Sequence, residues 1–262
     1  MGHFFTDANF YVFLFSLLPG LVYSFIVFLN TPYDSIRLNK SIIYLFAGFL
    51  SSFLVITFHK IFPDWKELVF LNYHVPTLLT VFFQAFIQIA LVEETAKFLS
   101  FFAIDKNSEK ESPIATMFNF MMVGTGFAIV ENAMYGLNYG GEILLVRSLT
   151  SLVVHMTLGI IIGYFIAIGK QDTEISDKTN FHIFLKMNPK WKRILYSITG
   201  LLIAIFFHGI YDFNLSFRHT NQEIYSLLIL GVSIYISWKM GRDLLRIHNK
   251  NNKRMRKKMK QI

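Results

Sequence analysis

Residues 113–135, PIATMFNFMMVGTGFAIVENAMY, carry Glu131 as their only charged side chain. A helix rises about 1.5 Å per residue, so a run of this length crosses a hydrocarbon core of about 30 Å. Ser112 followed by Pro113 is an N-cap with proline at the first helical position, and it fixes where the helix starts. The stretch reads as a membrane-spanning helix that bears a carboxylate and an amide, Glu131 and Asn132, near its far end.

Working outward, the same test gives six more spans: Asn9 to Leu29, Ser41 to Phe58, Pro76 to Ile104, Ile143 to Ile168, Ile194 to Phe213 and Ile224 to Leu245. The expected fold is all-α, a polytopic membrane bundle of about seven helices. No internal repeat, broken helix or low-complexity linker is apparent. We expect one transmembrane domain over residues 1–247, its catalytic core at about 76–215, and a basic tail over 248–262. A content of 53% hydrophobic residues with a mean hydropathy of +0.45 exceeds what a soluble core of this size needs. Met1 to Asn9 lacks a basic n-region, so the first run is expected to remain as a span rather than be cleaved. With no cysteine, thiolate chemistry and cysteine metal sites are excluded.

The net charge of +8 comes mostly from the stretch between Arg242 and Lys260, directly after a hydrophobic run. That placement predicts an anchor on anionic lipid and no nucleic-acid partner. Lys and Arg concentrate after spans one, three and five and at the C-terminal end, while the alternate segments hold few. The positive-inside rule then predicts an outside N-terminus and a cytoplasmic C-terminus in a cell membrane.

Several residues do not belong in lipid. An ionisable group at mid-membrane costs roughly 2.5 to 3.5 kcal/mol on insertion scales, so each one points to function. Glu93, Glu94 and Lys97 lie in the third span, Glu131 and Asn132 in the fourth, His155 in the fifth, and His208 and Asp212 in the sixth. Counted from the expected cytoplasmic ends, the glutamate pair sits roughly 15 to 17 Å up, the histidines roughly 20 Å, and Glu131 and Asp212 roughly 27 Å. One layer, nearer the outer interface, can hold them all. Glu93 with Lys97 has the favourable i,i+4 order for an ion pair, Glu94 with Lys97 is i,i+3, and His208 shares a face with Asp212. Adjacent Glu93 and Glu94 point about 100° apart and are expected to divide their roles. Gly124, Gly126, Gly159 and Gly163 read as packing residues that let helices approach closely.

Written as motifs, the spans carry Glu-Glu-Thr-Ala-Lys at 93–97, Phe-Ala-Ile-Val-Glu-Asn at 127–132 and His-Gly-Ile-Tyr-Asp at 208–212. The order and placement resemble the PrsW family of intramembrane proteases, whose pattern is EExxK, FxxxE and HxxxD on successive spans. That family belongs to a superfamily with the CAAX prenyl endopeptidases and bacteriocin-processing proteins. The resemblance covers spans three to six. It implies a membrane-embedded hydrolase making a first, outer-side cut in a single-span protein such as an anti-sigma factor, with Glu93, Glu94 and His208 essential. The CAAX branch usually has His where Glu131 stands and Asn where Asp212 stands, so prenylated substrates are not expected.

Peptide hydrolysis requires a base for water, an acid for the leaving amine and a stabilised oxyanion. Glu93 or Glu94 is the expected base, His208 the donor, and Asp212 the group that fixes His208. A metal-dependent version would use His155, His208, Glu131 and Asp212 as ligands for a divalent ion such as zinc. Other readings of the same cluster are an ion or proton pathway, or an inactive immunity or scaffold protein.

Overall fold

The computed structural model describes residues 7–32, 36–62, 77–105, 111–170, 187–216 and 221–259. Every regular element among them is helical, and seven helices are long and apolar enough to cross a membrane. These spans are Phe10–Leu29, Leu38–Ile61, Leu78–Ile104, Pro113–Tyr139, Glu142–Lys170, Pro189–Ser216 and Glu223–Asn249. The protein is therefore a multi-pass membrane protein. The start of the fourth span is as expected, since the Ser112 hydroxyl accepts from the Ala115 amide ahead of Pro113.

The fourth and fifth spans are almost wholly enclosed, and the others pack round them. Phe13, Phe25, Phe46, Leu202 and Trp238 are exposed on the outer helices, as a lipid-facing surface requires. The glycines set how closely the central helices pass. A methyl group on Gly126 would collide with the Leu45 carbonyl of the second span, and one on Gly124 would collide with the His155 carbonyl of the fifth. Gly159 and Gly163 meet Met121 and Met117 of the fourth span in the same manner. At the end of the bundle opposite the polar site, Asp105 Oδ2 pairs with Lys170 Nζ at 2.6 Å and its Oδ1 accepts from Tyr44 at 3.0 Å. That ties spans two, three and five together.

Two spans depart from the continuous helices expected. The third contains π-helical turns over Gln84–Leu91 between Thr77–Phe83 and Val92–Ile104. These wider turns, which cluster at functional sites, end two residues before Glu93. The half before Val92 then leans on the sixth span, where Gly209 leaves room for the Phe86 ring, while Val92–Ile104 packs on the second. The fifth span is interrupted at Thr150, between Glu142–Leu149 and Ser151–Lys170, and this corrects the expectation of unbroken helices. Thr150 is turned out of helical geometry (φ −120°, ψ −82°) and its hydroxyl donates back to the Val146 carbonyl at 2.8 Å. The last helix runs on without a break from Gln222 to Met259.

Candidate active site

The eight polar residues singled out in the sequence all lie in one assembly. On the third span Lys97 Nζ is 2.7 Å from Glu94 Oε1 and 3.7 Å from Glu93 Oε2, so the i,i+3 pair is the close one. The ammonium also rests 4.0 Å over the Phe127 ring. His208 Nδ1 donates to the same Glu94 oxygen at 2.7 Å. Glu94 and Lys97 are each only 1% exposed, and their partners replace the water they lack.

Lys97 Nζ also lies 2.9 Å from His155 Nδ1. An ammonium only donates, so Nδ1 accepts and the ring proton sits on Nε2. Nε2 accordingly donates to Glu131 Oε2 at 2.8 Å. The same oxygen accepts from Arg147 Nη2 at 2.8 Å. At the other end, His208 Nε2 is 3.2 Å from Asp212 Oδ2. Arg147, Glu131, His155, Lys97, Glu94, His208 and Asp212 thus form one unbroken polar chain through four spans.

Glu93 stands outside this chain. Its Oε2 has no hydrogen bond among the described residues, lying 3.7 Å from Lys97 and 3.8 Å from His208 Nε2. It faces a cavity of about 300 Å³, which Glu131, His155, His208 and Asp212 also line. Val55, Ile56, Ile89, Val154 and Leu215 make the apolar part of the wall. The adjacent glutamates differ in their surroundings: Glu94 Oε1 is taken up in pairing, whereas Glu93 Oε2 has no hydrogen bond and lines the cavity. Asn132 lies to one side, its Oδ1 accepting from Arg147 Nε at 2.8 Å.

Lys97 and Arg147 face four carboxylates, from Glu93, Glu94, Glu131 and Asp212. With both imidazoles neutral and every carboxylate ionised, the enclosed site is short by two positive charges. Protons or a divalent ion must supply them, because uncompensated charge in a membrane interior is costly.

A metal fits the residues present. Glu93, His155 and His208 are buried and can each offer one ligand atom, all within 4.8 Å of one another. Two imidazoles and one carboxylate are the donor types of catalytic zinc sites that keep a position open. Glu94 on His208 Nδ1 supplies the carboxylate contact that orients a ligating imidazole. His155 would join by freeing one ring nitrogen, Nδ1 from Lys97 or Nε2 from Glu131. Of the four ligands considered from sequence, the two histidines are in this group. Glu131 and Asp212 are not, the first being held by Arg147 and His155.

Comparison with known families matches residues 40–238 to the PrsW family intramembrane metalloproteases. The chain belongs to that family. It is 24% identical over 255 residues to the protein named Protease PrsW from Clostridioides difficile, covering 93% of this chain and 94% of that one. It is 26% identical to the Protease PrsW of Shouchella clausii over 60% of this chain and 66% of that one. For the Oceanobacillus iheyensis protein of the same name, the identity is 30% over 51% and 55%. The chain thus spans a little under two thirds and just over half of these last two relatives, and nearly all of the first. No solved structure matches.

Sequence reading passed over Arg147. It lies four residues into the run from Ile143, where an arginine carries the same cost as the acidic residues that were noticed.

Proposed function

We propose that this protein is an intramembrane endopeptidase that hydrolyses a single-span membrane protein near the outer face of the membrane. The observation that carries the reading is Glu93: a buried carboxylate oxygen without a hydrogen bond, beside two histidines, on a cavity deep in a membrane bundle. Glu93 Oε2 takes a proton from the attacking water. In the form without an ion, protonated His208 gives its Nε2 proton, 3.8 Å from Glu93, to the leaving amine while Asp212 Oδ2 holds that ring nitrogen; where Nε2 would instead hold an ion, Glu93 would return the water's proton to the amine. Glu94 and Lys97 fix the rings from behind and do not meet the substrate.

Glu93, His155 and His208 would hold the metal implied by the family description, a divalent ion such as zinc. When bound, the ion would acidify a water and polarise the scissile carbonyl. One carboxylate oxygen of Glu93 suffices for holding it, leaving the other for the proton. A dication would also supply the two missing charges.

The reading further places the N-terminus outside and the C-terminus in the cytoplasm, with the basic tail on anionic lipid. The substrate class we propose is a membrane-anchored regulator such as an anti-sigma factor, as the resemblance of the three motifs implies; the relatives' common name, Protease PrsW, supports the protease activity alone. The test is purified protein in lipid with candidate single-span substrates, beside Glu93→Gln and His208→Ala, with metal content measured on the same samples. Cleavage by the wild type and its loss in both variants are expected. Cleavage that survives both would overturn the reading.

A further inference from the structure

We propose that Arg147 is a positioning residue for the hydrolytic machinery, clamping the Glu131 carboxylate against His155 through a planar, multi-point grip that no other side chain reproduces. The inference rests on the proteolytic reading above and adds a residue outside the three motifs.

The break at Thr150 makes the grip possible. It separates the short helix Glu142–Leu149 from Ser151–Lys170, so Arg147 and His155 are carried by two helical segments of one span. Arg147 is then held on four sides. Nη2 donates to Glu131 Oε2 at 2.8 Å and to Ser151 Oγ at 2.9 Å. Nε donates to Asn132 Oδ1 at 2.8 Å, and the guanidinium lies 3.7 Å over the Tyr135 ring. Glu131, Asn132 and Tyr135 are consecutive or one turn apart on the fourth span, so the guanidinium reads that helix at three points.

Glu131 Oε2 is the shared atom, accepting from Arg147 on one side and from His155 Nε2 on the other. A carboxylate held by one donor alone can swing about its terminal torsion; one held between two fixed donors cannot. Arg147 is rigid because Asn132, Ser151 and Tyr135 hold it, and it passes that rigidity through Glu131 to the His155 ring. A lysine would bring the charge but neither the fork nor the stacking plane.

The experiment uses the full-length protein in lipid. Arg147→Lys, Glu131→Gln and the double variant are compared with wild type on a cleaved single-span substrate, and thermal unfolding is followed on the same samples. Arg147→Lys is expected to lower kcat about tenfold or more while leaving KM within about twofold. In the Glu131→Gln background the same substitution is expected to add less than about twofold, because the atom it acts through is altered. A readout that needs no substrate is the ring-nitrogen NMR signature of His155, assigned by its loss in His155→Gln and expected to change in Arg147→Lys. Unchanged kcat, a rise confined to KM, additive losses or an unchanged His155 signature would each overturn the proposal. Should Arg147→Lys not fold, Arg147→Gln takes its place. Should the wild type cleave nothing, the proteolytic reading fails, and the His155 signature alone judges Arg147.

Discussion

Glu94 Oε1 lies 2.7 Å from His208 Nδ1, a contact between the third and sixth spans. Because Lys97 Nζ approaches the same oxygen at the same distance, Glu94 is the joint on which both histidines are hung, His208 directly and His155 through Lys97.

Glu93 and Glu94 should therefore fail in different ways. Glu94→Gln leaves a buried lysine without its close counter-charge, and breaking a buried pair costs about 3 to 5 kcal/mol. Its unfolding temperature in detergent should drop, and a second change, Lys97→Met, should restore much of the loss without restoring cleavage. Glu93→Gln should unfold near the wild-type temperature and be inactive, since Oε2 makes no hydrogen bond to lose. Equal destabilisation by the two substitutions would contradict this division.

Gly124 has no room for a methyl group against the His155 carbonyl. Gly124→Ala should push the fourth and fifth spans apart, at about 1 to 3 kcal/mol for an overpacked site. Because the displaced backbone is that of His155 itself, activity should fall further than the same loss of stability produces elsewhere, for instance in Gly20→Ala, where the neighbours are side-chain atoms of Thr125 and Ile129.

Metal content should follow the ligand group. Glu93→Gln, His155→Ala and His208→Ala should each lower the divalent metal retained after purification, measured by elemental analysis, whereas Tyr164→Phe, far along the fifth span, should not. Retention by all three would place the ion elsewhere.

Topology can be checked without background because the chain has no cysteine. Single cysteines replacing Thr31 and Gly141 lie beyond the ends of the first and fourth spans. Thr31→Cys should react only from the cytoplasmic side and Gly141→Cys only from outside. The reverse pattern would invert the orientation read from the lysines and arginines.

The membrane architecture was legible because lipid leaves few solutions: a long apolar run must be a helix, and the Ser112 and Pro113 signals stood where the fourth helix begins. The site was legible because charge in lipid is conspicuous, which put Glu93, Glu94, Lys97, Glu131, His155, His208 and Asp212 on the page from types and spacing alone. What spacing could not give was pairing. Both carboxylates on the third span are within helical reach of Lys97, and only the tertiary position of His208 makes Glu94 the closer partner. The π turns before Glu93 and the break at Thr150 were hidden in sequences apolar enough to read as straight helix. Arg147 carried the same signal, a charge inside an apolar run; what no periodicity along one segment reveals is its partner, Glu131 on another span.

The central claim is that water cleaves a peptide bond at a buried site near the outer end of the bundle. It is tested most directly by running the reaction on a single-span substrate in oxygen-18 water and mapping the products by mass spectrometry. The account predicts one new C-terminus that carries the heavy oxygen, lies at or just beyond the outer end of the substrate's span, and is absent with Glu93→Gln. A cut in the cytoplasmic third of that span, or a product formed equally by Glu93→Gln, would contradict it.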